Sequence, residues 1–304
     1  MAVALDSAGN AYVREPCLIR KVTPAGVVST IAGVAGDCNI ADGPPGTARV
    51  GGGGGIAVNA AGDIYFSDGL GAIRKATPAG ALSTFAGDAL LTGYADGAGT
   101  AARFNQPHGL AFDGAGNLIV ADTSNGAIRS ITPGGAVSTV ARGLSPGASF
   151  VIDGPVGVAT FGGVVNVTVD AAGTTIYVTD EGSNSIRKIA GGQVSTLAGS
   201  SELNNGSAGS VDGSGGTARF NAPQQIGLDS AGNLYVADML NHTVRKITPG
   251  GVVSTVLGVA GDARTVPGAT PPRISAPAGL AVAATGQLWL TSLDSHVVLR
   301  ATVP

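Results

Sequence analysis

The stretch FNQPHGLAFDGAGNLIVAD, residues 104–122, is written again as FNAPQQIGLDSAGNLYVAD at 220–238, with over half of the positions matching in place. Each copy holds two short apolar runs, such as LAF and LIVAD, split by D-x-A-G-N. Runs of that length bounded by Gly and Asn read as two strands and a tight turn, with Gly and Asn supplying positive φ. Aligned on that turn, six copies appear, anchored at Asp6, Asn59, Asp113, Asp170, Asp229 and Ala283 with spacings of 53, 54, 57, 59 and 54 residues. A third run follows in each (AIRSIT alternates apolar and polar, as a half-buried strand does), then a T-P-x-G turn, then a fourth run of the VVSTIAG type. No window carries apolar residues at helical spacing for a useful length, so helices are expected to be scarce.

Four antiparallel strands repeated six times at a period near 50 residues predict a six-bladed β-propeller, all-β in class. One blade cannot bury its own face, and packing each sheet on its neighbour makes the core. Only five copies of the fourth run are present, so the last blade is expected to have three strands or to be completed from elsewhere. The chain is read as a single domain with blades at about 1–50, 51–104, 105–161, 162–220, 221–274 and 275–304.

The pattern P-x-G-L-A-x-D-x-x-G-N-L-Y-V-A-D-x-x-N-H-x-[IV]-R-K resembles the NHL repeat. It stands nearly whole at 223–246, with close versions at 107–130 and 277–296. The VSTxAG and DGxGTAARF connections are similar to those of the bacterial exported branch. The resemblance implies a propeller and no single activity, since enzymes and binding modules share that scaffold.

Composition agrees. Of 304 residues 50 are Gly, 44% are hydrophobic and 12% are charged, which excludes a disordered chain. Net charge is −3 and no basic patch gathers, which disfavours a nucleic-acid partner. No apolar run reaches the roughly 18 residues a membrane helix needs. MAVALDSAGN is already repeat sequence, so no signal peptide is read in this chain. The low Lys content and the richness in Gly, Ala, Ser and Thr point to a secreted or periplasmic protein, expected to be a monomer. Cys17 and Cys38 flank the third and fourth strands of the first blade at neighbouring ends and are disulfide candidates, two free thiols being the alternative.

Short uniform turns at one end of the blades contrast with long dissimilar loops at the other, which makes the loop end (the top face) the place for a site. The positions that break the repeat there are candidate binding residues: His108, Gln224, Glu181, Arg14, Thr123 and Met239. In the zinc-dependent peptidyl-amidating lyases, which share the scaffold, P-H-x-L recurs on three blades. Here it occurs once, at 107–110, so a zinc set of that type is not expected. His242 and His296 sit in the repeated N-H or S-H place and read as packing and capping residues. Glu15, Asp68, Asp122, Asp180 and Asp238 end the second strands. Five carboxylates admit calcium, but recurrence in every blade favours loop N–H groups and Arg20, Arg74, Arg129, Arg187 and Arg245 as their partners. No cofactor is predicted. A second recurring pair, Asp42 with Arg49, Asp96 with Arg103 and Asp212 with Arg219, reads as an ion-pair clamp within each loop, and Phe104, Phe161 and Phe220 as plugs between sheets. GGGGGI at 51–56 lacks the context of a phosphate loop and reads as a flexible entry to the second blade.

These features point to a binding or scaffold module that takes a protein, peptide or glycan ligand on its top face and channel mouth. The alternative is a lyase or hydrolase using His108, Glu181 and Arg14.

Overall fold

The computed structural model describes residues 1–143, 151–200, 208–269 and 272–303. The chain forms β1 (Ala2–Leu5), β2 (Ala11–Glu15), β3 (Leu18–Val22) and β4 (Val28–Gly33), then β5 (Ile56–Val58), β6 (Ile64–Asp68), β7 (Ala72–Ala76) and β8 (Leu82–Gly87). Next come β9 (Gly97–Ala98), β10 (Pro107–Phe112), β11 (Leu118–Asp122), β12 (Ala127–Ile131) and β13 (Ala136–Arg142). The second half holds β14 (Gly154–Pro155), β15 (Val164–Val169), β16 (Thr175–Asp180), β17 (Ser185–Ala190), β18 (Gln193–Gly199) and β19 (Gly213–Ser214). Last are β20 (Pro223–Leu228), β21 (Leu234–Asp238), β22 (Thr243–Ile247), β23 (Val252–Gly258), β24 (Pro277–Val282), β25 (Gln287–Ser292) and β26 (Val297–Thr302).

These strands make six antiparallel meanders, and the fold class is the six-bladed β-propeller. Blades 1 and 2 have four strands, and blades 3 to 5 gain a fifth. The sequence did not announce the fifth strands: β9, β14 and β19 come from the preceding loop and cover the outer edges of β13, β18 and β23. Blade 6 has three strands, ordered β24-β25-β26. The chain divides into two compact units, Met1–Val140 and Ala141–Pro304. Helical structure among the described residues is limited to short 3-10 turns.

Each D-x-A-G-N turn closes on its own side chains. Asp113 accepts the N–H groups of Ala115 and Asn117 and the Asn117 amide, while Gly116 takes φ +83. Within each unit the apolar faces of neighbouring sheets interlock: Tyr12 and Ile19 meet Ile56 and Phe66, Ile73 and Tyr65 meet Leu110 and Val120, and Tyr235 and Val244 meet Leu280 and Leu290.

A buried ion network organises every complete repeat. Arg129 is fully buried and donates to Asp122 at 2.8 Å, to Asp96 at 2.5 Å and to the carbonyls of Ala95 and Arg103. Arg245 repeats the set with Asp238, Asp212, Val211 and Arg219. Arg74 bonds Asp68 and Asp42, and Arg187 bonds Asp153 and lies 3.5 Å from Asp180. The strand-end carboxylates also take loop N–H groups: Asn105 to Asp122, Asn221 to Asp238, Gly162 and Gly163 to Asp180. Each guanidinium lies over an aromatic ring, Phe104 at 5.0 Å, Phe161 at 5.4 Å and Phe220 at 5.1 Å, so the plugs face cations.

The expected clamp between residues seven apart is corrected by this network. Asp42, Asp96 and Asp212 do not bond Arg49, Arg103 and Arg219 but the buried Arg of the next blade. Backbone pairing of Ala41 with Arg49 and of Ala95 with Arg103 leaves those carboxylates turned to the sheet. Arg49 bonds Asp37 instead, and Arg103 and Arg219 donate to carbonyls of their own loops. The same loop carboxylates take the Thr of V-S-T through Thr139 and Thr255. Burial pushes the Asp122, Asp180 and Asp238 carboxyls up from the ordinary value against the pull of their donors. At Asp96 and Asp212 burial also pushes up, but the hydrogen bonds from Arg and Thr outweigh it and hold both below that value.

Cys17 and Cys38 are joined in a disulfide with Cα atoms 4.4 Å apart, tying the start of β3 to the loop after β4. His242 is the left-handed cap before β22, at φ +57, and its Nδ1 accepts the Ala276 N–H at 3.0 Å. It is a capping residue, as its repeated place implied.

Two stability measurements test this account. Asp238→Ala leaves Arg245 buried with one of its carboxylates removed and is expected to cost ~3–5 kcal/mol in urea unfolding. Blade 6 carries Ser292 and Leu299 at the places of Asp238 and Arg245, and Asp238→Ser with Arg245→Leu, which writes that pair into blade 5, is expected to regain more than half of that loss; a double variant no better than the single would refute the hub. Cys17→Ser with Cys38→Ser is expected to cost ~3 kcal/mol, a fall of ~6–10 °C in Tm that vanishes when both proteins are compared in reductant.

Candidate functional site

The site is built in the first unit by three loops and a run of glycines. The loops are residues 34–42 after β4, 69–71 after β6 and 88–93 after β8. Leu70 N–H donates to Ala89 at 3.1 Å, and Gln106 N–H donates to Leu70 at 2.6 Å, which locks two loops to the start of blade 3. A Cβ at Gly51 would lie 2.4 Å from Ile40 Cγ1, and one at Gly69 2.6 Å from Ile40 Cδ1, so Ile40 is seated against two glycines. The result is a cleft of about 760 Å³ lined by Ile40, Asp42, Thr84, Asp88, Leu90 and Cys38 among others. Leu70, Leu90 and Leu91 stand at and beside it, 49%, 78% and 54% exposed. Asp42 gives one oxygen to Arg74 and the other to the Thr84 N–H yet stays 45% exposed, and Asp88 caps its own loop through the Leu90 N–H. Apolar side chains next to accessible carboxylates suit a ligand that is part apolar and part cationic.

The glycine run is not a flexible entry. It is a wall that lets large side chains approach. A Cβ at Gly53 would lie 2.1 Å from the Ser67 carbonyl and 3.3 Å from Arg14 Nη2, and one at Gly54 2.0 Å from the His108 ring. The N–H groups of Gly54 and Gly55 both donate to Ser67 Oγ. Arg14 is 1% exposed and bonds Asp68, Gly51 O and Glu15 O, which links blades 1 and 2 and turns its charge inward.

His108 on β10 and Thr123 just after β11 share one end of blade 3, where Pro107 pairs with Asp122. Thr123 Oγ1 is buried with no hydrogen-bond partner among the described residues. In the second unit Gln224 and Met239 are placed likewise on blade 5, where Pro223 pairs with Asp238 and the Met239 N–H donates to Ala222 O. Glu181 opens the turn after β16 in blade 4 and donates its N–H to Gly163 O. His108, Thr123 and Arg14 thus lie in one unit, and Glu181, Gln224 and Met239 in the other. Among the described residues no three His, Cys, Asp or Glu side chains are grouped to hold a metal ion. The leucine cleft escaped the sequence reading. Its signal was the Leu90-Leu91 doublet inside an otherwise polar loop.

Residues 104–129 match the family model of the NHL repeat. No curated protein matches the sequence. Among solved structures, a protein of unknown function from Bacteroides thetaiotaomicron is 18% identical at a TM-score of 0.71, over 98% of this chain and 67% of its own. An auxiliary nutrient binding protein from Bacteroides ovatus is 17% identical at 0.71, over 100% and 69%. A catalytically inactive virginiamycin B lyase from Staphylococcus aureus, solved with quinupristin, is 15% identical at 0.59, over 100% and 80%. At these identities the likeness is one of fold. Residues 104–129 thus carry an NHL repeat, and the six sheets give the chain the six-bladed β-propeller fold.

Proposed function

We propose that the chain is an extracytoplasmic binding module that takes a peptide segment with apolar and basic side chains in the cleft over blade 2. The observation that carries this is the exposure of Leu90 in a cleft whose charged groups are Asp42 and Asp88, with Leu70 and Leu91 exposed on the adjoining loops. Burying one leucine is worth roughly 1.5–3 kcal/mol, so three exposed together on loops held by a rigid sheet favour a partner. A glycan would call for an aromatic face, and none lines this cleft. The disulfide suits an oxidising compartment. The fold is shared with an auxiliary nutrient binding protein, which supports a binding role.

The lyase or hydrolase reading is supported by the fold shared with virginiamycin B lyase, but it loses one of its three groups. Arg14 is enclosed and bonded to Asp68, so its guanidinium does not reach a ligand.

Peptide-display selection against the chain is expected to enrich sequences that combine Leu, Ile or Phe with Lys or Arg. Leu90→Ser with Leu91→Ser is expected to weaken the selected peptide at least tenfold while Tm moves by less than ~2 °C, since both side chains are exposed. Selection without a basic-apolar consensus, or a consensus indifferent to the double variant, would rule the cleft out.

A further inference from the structure

The turn end of blades 2 and 3, away from the leucine cleft, holds a second cleft of about 520 Å³, a volume inside the roughly 300–1,000 Å³ of small-molecule sites. Its walls include Tyr65, Phe85 and Phe112, and its rim is made by the turns that carry Asn59 and Asp113. Phe85 and Phe112 each meet Tyr65 edge to face, with ring centres 5.0 and 5.2 Å apart, and both are only partly buried.

These aromatics break the repeat. The same three places hold Tyr12, Ile31 and Val58 between blades 1 and 2, Tyr177, Leu197 and Leu228 between blades 4 and 5, and Tyr235, Val256 and Val282 between blades 5 and 6. Aliphatic side chains therefore suffice to pack one sheet on the next, and the scaffold does not require the two phenylalanines.

The polar rim breaks the repeat as well. In blades 1 and 5 the turn carboxylate, Asp6 or Asp229, takes the amide of Asn10 or Asn233 and the hydroxyl of Tyr12 or Tyr235. Blade 2 exchanges the pair, with Asn59 in the Asp place and Asp63 in the Asn place. Asn59 Oδ1 accepts the N–H groups of Ala61 and Asp63, while Asp63 pairs with Lys75 at 2.7 Å. The amide N–H groups of Asn59 are left for the cleft. Blade 3 has Ile119 where the tyrosine stands, so Asp113 Oδ2 takes the Asn117 amide alone and keeps acceptor capacity. The aromatic slot thus carries a donor on one turn and an acceptor on the other.

We propose that this cleft is a glycan subsite that seats one neutral sugar ring. The C–H face of the ring lies against Phe85 and Phe112, since the negative faces of aromatic rings attract polarised C–H groups. Its hydroxyls donate to Asp113 and accept from Asn59. A sugar brings an apolar face and hydroxyls that serve both polar groups, whereas an aromatic peptide side chain would leave both unused. A cationic occupant is disfavoured, because Lys75 Nζ already lies 5.7 Å from the centre of the Tyr65 ring. The site stands apart from the peptide cleft at the other end of these blades and does not rest on it.

The test titrates the whole chain with the methyl glycosides of glucose, galactose, mannose, xylose and N-acetylglucosamine, read by saturation-transfer NMR. At least one is expected to saturate at millimolar concentration, with transfer strongest to the protons of one ring face. Phe85→Leu with Phe112→Leu writes in the pair that blades 4 and 5 carry, so the packing is preserved, and is expected to weaken that sugar ~tenfold or more. Asn59→Asp restores the carboxylate of the other turns and is expected to weaken it about tenfold by removing the donor. Equal affinity in both variants, or no binding by any of the sugars at millimolar concentration, would overturn the proposal. So would binding of choline or N-acetylphenylalanine amide in preference to the sugars, because the occupant would then be a quaternary ammonium group or a peptide side chain.

Discussion

A buried guanidinium gripped by two carboxylates is the constraint on which the rest of each complete blade depends. An arginine enclosed among sheets is costly unless nearly all its donors find acceptors. Arg129 satisfies this by drawing on three separate pieces of chain: the end of β11, the preceding loop and that loop's backbone carbonyls. The fork geometry of the side chain fixes where those pieces sit. The loop carboxylate then reaches over to Thr139 on β13, so one cation orders both ends of its sheet and the connection that enters it. The Asp, Arg, Thr and Phe of the repeat are parts of one device, and their recurrence reports scaffold duty.

That reading explains which parts of the molecule were legible in advance. The pairing of Asp122 with Arg129 follows from hairpin register, because Asp122 faces Ala127 and the arginine lies two residues on, along the same face. The same logic gave the disulfide, since the ends of adjacent strands must be close. The Asp-to-Arg spacing of seven in the loops misled because it treats neighbours in sequence as neighbours in space. The bridges that close those loops are made by backbone, and the side chains are released to different partners. The glycine run misled for a related reason. Gly reads as freedom when only the backbone is considered, yet at Gly53 and Gly54 its absent side chain makes room for Arg14 and His108. Neither close approach leaves a local trace in the sequence, because the approaching residue comes from another blade.

The candidate site was legible only as a region. Long, dissimilar loops pointed to the end of the blades, and the leucine cleft lies among them. Which side chains they expose depends on loop paths that Ile40, the Leu70 backbone and Gln106 fix together. The positions that break the repeat proved to be of two kinds. Arg14 breaks it to build an internal bridge, whereas Leu90 and Leu91 break it to stay outside.

Blades 1 and 6 show what happens when the device is incomplete, and they argue that pairing and burial go together. Blade 1 has Arg20 in the hub position, but Glu15 makes no ion pair with it and no loop carboxylate reaches it among the described residues. Accordingly Arg20 is only half-buried, where Arg74, Arg129, Arg187 and Arg245 are fully buried. Blade 6 takes the other route, removing both charges through Ser292 and Leu299. Replacing a buried ion pair with apolar groups of similar volume is often neutral or stabilising, so the sheet loses nothing by the change. What it loses is the reason for a loop carboxylate, and with it the tie that elsewhere draws loop and fourth strand together. The cleft beside β26 lies along the outer edge of this three-stranded sheet, where among the described residues no such tie is made.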